Sequence, residues 1–200
     1  MKAKNINEIF RSAIADYHLT DHVDASMPQR FENEKFSTLL YLKNWIDTVQ
    51  WHLEDIIRDP ENDPKYLVEI KRRIDASNQH RTDTVEQIDE YLFEQLKETK
   101  TDSAAKMNSE TPAWLLDRMS ILQLKIYHFE DQLKRNDLND ELRKSVSHKL
   151  SVLKIQEGDL ETCFDELMED LKSGKKYMKL YKQMKMYNDP NLNPVFYNKK

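Results

Sequence analysis

Gly158 and Gly174 are the only glycines in 200 residues, against roughly 7% in average usage. Hairpin turns draw heavily on Gly and Asn-Gly pairs, so a chain this poor in glycine is not built from β-hairpins. GxGxxG and P-loop phosphate cradles, which need several closely spaced glycines, are excluded with them. Helical periodicity takes their place. Leu39, Leu42, Ile46, Val49, Leu53 and Ile56 form one stripe at spacings of three and four, and Leu115, Met119, Leu122, Ile126, Phe129 and Leu133 form another.

This spacing predicts helices over about 5–17, 36–59, 65–98, 112–134 and 142–172. Thr111 is the expected N-cap of the fourth, with Pro112 at its first helical position. Gly158 is expected to mark a kink or a close approach in the fifth helix, and Gly174 its C-cap. A last short helix would place Tyr177, Leu180, Tyr181 and Met184 on one buried face, and the prolines beyond Asn188 argue against another. The predicted fold is all-α: an antiparallel bundle of about four long helices with short N- and C-terminal helices. No linker divides residues 1–200, and 1–34 and 188–200 are the candidate peripheral segments.

Charged residues make up 34% of the chain and the mean hydropathy is −0.85. No stretch approaches the roughly 18 apolar residues of a membrane span. The first twenty residues lack the apolar core of a signal peptide. One cysteine, Cys163, permits neither an intrachain disulfide nor a cysteine-based zinc site. These features predict a soluble, cytoplasmic protein. Its charge is uneven. Residues 172–200 carry eight lysines against Asp189 alone, whereas the rest of the chain sums to −12. Such a tail either steers an anionic partner or folds back on its own acidic body. Without a nucleic-acid motif, the pattern does not point to nucleic acid.

Function is best sought where polar residues interrupt an apolar stripe. The third helix runs Leu67, Ile70, Ile74, then Ser77 and Arg81, before Val85, Ile88 and Leu92. A buried guanidinium is costly unless paired, so Arg81 either meets a core acid or faces a polar cleft. Arg118, Lys125 and His128 share one face of the fourth helix. Together with Asn78 and Arg81 they form a candidate site for a phosphorylated small molecule, a nucleotide or sugar phosphate. On the second helix His52, Asp55 and Asp59 share a face beside Glu54, a donor set suited to a divalent metal.

The segments WHLEDIIRDP (51–60), KRRIDASNQHRTDTVEQID (71–89), ETPAWLLDRMSILQLKIYH (110–128) and KKYMKLYKQMKMYNDPNLNP (175–194) resemble the bacterial domain-of-unknown-function family 4254. That resemblance implies a bacterial cytoplasmic protein and carries no activity with it. A fainter similarity is to the all-α nucleotide pyrophosphohydrolases, which gather Mg²⁺ with EExxE on one helix and ExxD on the next. It implies a metal site of Glu54, Asp55, Glu86 and Asp89, although Arg58 stands where the third acid of the first motif belongs. A Mg²⁺-dependent hydrolase and a non-catalytic interaction module are thus the alternatives to simple ligand binding.

Overall fold

A computed structural model of the chain describes residues 1–186 and 189–197. Five helices of 15 to 33 residues make the body: α1 (Ala3–Tyr17), α2 (Lys35–Arg58), α3 (Pro64–Leu96), α4 (Pro112–Leu133) and α5 (Asp140–Lys172). Their starts follow local chemistry. The Asp63 carboxylate accepts from the Lys65 and Tyr66 amides ahead of α3, with Pro64 at the first position. The Thr111 hydroxyl accepts from the Trp114 amide, and the Asn139 side chain from the Leu142 amide. Each satisfies amides that a helix start leaves without partners.

Helix α2 pairs with α3 and α4 with α5, each across a short connection, while α1 packs against α2, α4 and α5. Although the sequence suggested a peripheral N-terminal segment, Ala3, Ile6, Phe10, Ala13 and Tyr17 of α1 are almost wholly buried in the main core. Beyond α1 the chain turns at Asp21, which has a φ of +52° and whose amide donates to the Tyr17 carbonyl at 2.9 Å. Asp tolerates this left-handed conformation better than most residues.

The two glycines differ from each other. Helix α5 runs through Gly158 without interruption, and a Cβ there would meet open space, so the expected close approach is absent. Gly174 is indispensable: its φ is +73°, and a Cβ would lie 2.2 Å from the Lys100 carbonyl oxygen. The turn it makes brings β2 (Lys176–Tyr177) parallel to β1 (Lys106–Met107).

No helix forms over Tyr177–Met184, contrary to expectation. After β2 the chain has no regular secondary structure up to Lys185, with Tyr181 71% and Met184 82% exposed. The lysines account for this path. Lys182 lies 3.7 Å from Glu86 and 3.4 Å from Glu90, and Lys185 Nζ donates to the Asn78 carbonyl and the Thr82 hydroxyl. The tail therefore lies along α3 and neutralises its own body. A single turn, α6 (Pro194–Tyr197), follows where the prolines argued against helix. Tyr187, Asn188 and residues 198–200 fall outside the described residues.

Ending the chain after Met178 should cost under about 1 kcal/mol, since it removes exposed side chains and screened ion pairs. Ending it after Gly174 also removes β2 and the buried Met178, and should cost about 1.5–3 kcal/mol more. Urea denaturation of the two truncations tests this; equal losses would contradict it.

Candidate functional site

Between Phe36 and Leu53 of α2, Lys43 and Asp47 are the only formally charged residues, and both side chains are wholly buried. They face α4, where Asp117 and Ser120 lie one turn apart, and α3, which presents Arg81. Lys43 is hydrogen-bonded to Asp47 and lies 2.9 Å from Asp117 Oδ1. Arg81 closes a two-pronged pair on Asp117, donating from Nε at 2.9 Å and from its terminal nitrogen at 2.6 Å. Ser120 donates to Asp47 Oδ2 at 2.6 Å and accepts from Asn44 at 3.0 Å. Two cations and two acids thus compensate one another where three helices meet.

The two carboxyls respond differently. Burial works against ionisation of Asp117, but Lys43 and Arg81 outweigh it and hold the carboxyl below its ordinary value. At Asp47 burial dominates over Lys43 and Ser120 and pushes the carboxyl up. Asp47 Oδ1 lies 3.3 Å from Arg81 Nε yet accepts no hydrogen bond, although it is buried.

Asp47 is among the residues that line a cavity of about 340 Å³, with Gln50, Trp51, Glu54, Asp55, Arg58, Arg81 and Ile121. Gln50 is fixed from behind, donating to Asn78 at 2.9 Å and accepting from Ser77 at 3.1 Å. Arg58 folds back on Glu54, both to its carbonyl and to its carboxylate at 3.2 Å. Trp51 forms a wall, its ring stacked on His128 at 4.6 Å between centroids and 7° between planes.

The expected phosphate site is not assembled. Arg81 does face this polar cleft, and Asn78 supports its wall, but Arg118 lies exposed beside Glu110 at 3.1 Å and lines a different cavity. Each arginine is closed off by its own acid. Lys125 is exposed to solvent, as a long cationic stem on a helix surface readily is. His128 belongs with His18 and His52, beyond Trp51. Burial and these two neighbouring rings push its pKa down to about 4.

Nor does the structure gather the four predicted metal-binding acids. Phe36 stacks on Tyr91 and Gln50 meets Asn78, so α2 and α3 run antiparallel. Glu54 then lies level with residue 74, roughly 18 Å along the axis from Glu86 at 1.5 Å per residue. Glu54 and Asp55 line the cavity, whereas Glu86 receives the Gln183 amide and Lys182 from the tail. Asp89 accepts from the Thr111 hydroxyl at 2.6 Å and the Ala113 amide at 3.2 Å, anchoring the start of α4. Asp59 ends α2 and accepts from the Glu61 amide, away from His52.

Residues 37–180 match the family described as "Protein of unknown function (DUF4254)". The chain belongs to this family. No curated protein and no solved structure matches it. The matched span runs from the third residue of α2 through α5 and contains every residue that lines the cavity, while α1, which completes the core, precedes it. Among the described residues, no helix is long and apolar enough to cross a membrane.

Lys43, Asp47 and Asp117 escaped the sequence reading. A signal was present: an i, i+4 pair of opposite charge, isolated within eighteen otherwise uncharged residues.

Asp89 supplies a test of this placement. Burial pushes its carboxyl up to about 6 against the hydrogen bonds from Thr111 and Ala113. Because the folded value exceeds the unfolded one, the native state binds the extra proton, and this stabilisation fades as pH rises from about 4 through 6. Asp89→Asn, which mimics the protonated form, should therefore gain about 2–3 kcal/mol relative to wild type between pH 4 and pH 7. Urea denaturation across that range checks it, and a constant difference would contradict it.

Proposed function

We propose that the protein binds a neutral, hydroxyl-bearing ring compound, a sugar or nucleoside, in the cavity between α2, α3 and α4. The observation that carries this reading is Asp47, a residue of the cavity lining whose Oδ1 is buried without a hydrogen bond. A buried acceptor left unpaired costs about 1–3 kcal/mol, which a ligand hydroxyl or amine would recover. Trp51 offers the apolar face of a ring a surface to stack on, while Gln50, Glu54, Asp55 and Arg58 present donors and acceptors around it. A volume of about 340 Å³ stands at the lower end of small-molecule sites and suits one or two rings. A titratable group with a raised pKa in such a cleft is a further mark of a functional position.

The same geometry argues against phosphate as the recognised group. Lys43 and Arg81 are matched by Asp47 and Asp117, and Arg58 by Glu54, so no surplus positive charge faces the cavity. Hydroxyl recognition replaces the anion recognition expected from sequence. A bacterial cytoplasmic setting, implied by the family resemblance, is part of the proposal.

Thermal-shift and tryptophan-fluorescence titrations with monosaccharides, nucleosides and their phosphates test it. Neutral members should stabilise the protein by several degrees with little dependence on salt, and Trp51→Leu should abolish the effect while remaining folded. Binding confined to phosphorylated members and falling steeply with salt would overturn it. So would Mg²⁺-dependent release of pyrophosphate from nucleotides that is lost in Asp89→Asn, which would restore the hydrolase reading.

A further inference from the structure

Three imidazoles from three different segments meet on the far side of Trp51. His18 comes from the turn after α1, His52 from α2 and His128 from α4, and each offers one ring nitrogen within 4.8 Å of the other two. We infer that His18, His52 and His128 form a binding site for one divalent transition-metal ion of the zinc class, with a fourth position left open. The inference is independent of what occupies the neighbouring cavity.

The rings are oriented as ligands. His18 Nδ1 lies 2.7 Å from the Ile14 carbonyl; a carbonyl only accepts, so Nδ1 carries the proton and Nε2 keeps its lone pair. His52 Nε2 lies 3.3 Å from that atom. Zinc–nitrogen bonds of 2.0–2.1 Å at a tetrahedral angle set neighbouring nitrogens about 3.3–3.4 Å apart, so this edge already has the spacing of a metal-bound pair. The carboxylate of Asp55 stands 3.8 Å from His52 Nδ1, on the side where outer carboxylates commonly orient a ligating histidine. His128 Nε2 is buried without any hydrogen-bond partner. Stacking explains the ring positions but leaves that nitrogen unaccounted for, and ligation through Nε2 would supply its missing partner.

The surroundings hold the donors in place without sealing them. His128 is clamped on Trp51, and His52 stacks on Tyr17 at 5.0 Å and 11°. The side chains of His18 and His52 retain 14% and 22% of their exposure, so an ion can reach them. Asp21 Oδ1 stands 4.0 Å from His18 Nε2 and is 63% exposed, an oxygen donor within reach of the fourth position. Asp21 takes a left-handed backbone, with φ +52°, in the turn that follows His18. Three nitrogen donors without a thiolate suit zinc, cobalt, nickel or copper, and they do not suit magnesium or calcium, which take oxygen.

The test is calorimetric titration of Zn²⁺ into the full, untagged chain after chelator treatment, followed by the absorption spectrum of the Co²⁺ form. One Zn²⁺ per chain is expected, with visible Co²⁺ bands of a four- or five-coordinate site and no competition from millimolar Mg²⁺. His52→Ala and His128→Ala should each weaken binding at least 100-fold, and Asp55→Asn about 10–100-fold. His148→Ala, on the exposed surface of α5, should leave it unchanged. Circular dichroism of each metal-free variant separates lost ligation from lost folding, and the wild-type titration stands without them. Absence of stoichiometric Zn²⁺ binding by the wild type would overturn the inference, as would undiminished binding in folded His52→Ala and His128→Ala.

Discussion

Lys43 reaches Asp47 and Asp117 with no contact to water, and the arrangement of α2, α3 and α4 follows from the need to compensate it. A buried ammonium without partners costs several kcal/mol. Here the partners come from two helices, and Asp117 is in turn held by Arg81 from a third. Sliding any one helix by a turn, about 5.4 Å, would strand a charge inside the bundle. Apolar side chains can repack after such a slip, whereas these four groups cannot. The network is thus a device for register as much as for stability.

The cavity is a consequence of the same crossing. Arg81 is anchored on Asp117 and Asp47, and Gln50 is held by Ser77 and Asn78. These polar walls do not close over one another as apolar side chains would, and Trp51 spans the gap between the cleft and the three histidines. One face of α2 therefore serves two neighbourhoods: Asp55 borders the cavity and also stands behind His52. The acidic surface of α3, meanwhile, is occupied by the chain's own lysine-rich tail.

The helices were legible because each leaves a local mark, and the Thr111–Pro112 start of α4 was read to the residue. Arg81 was legible too, as a charge on an apolar stripe that had to be paired or to face a cleft, and it does both. What sequence did not reveal depends on tertiary neighbours. The histidines lie 34 and 76 positions apart along the chain and share no helix. Two-residue strands carry no periodicity, so β1 and β2 left no trace. The Tyr177–Met184 stripe had true helical spacing, yet Tyr181 and Met184 stay exposed while Lys182 and Lys185 meet groups of α3. Glu54, Asp55, Glu86 and Asp89 matched a motif in spacing while the antiparallel packing of α2 on α3 keeps the two pairs apart.

The most direct test of the central claim is a double-mutant cycle on the buried pair, using Lys43→Met, Asp47→Leu and the double variant in urea denaturation. Each single change leaves an uncompensated charge and should cost about 3–5 kcal/mol. The double variant leaves Arg81 on Asp117 and should be more stable than the sum of the singles by at least about 2 kcal/mol. Additive losses would show that the two side chains act independently, and would contradict the account.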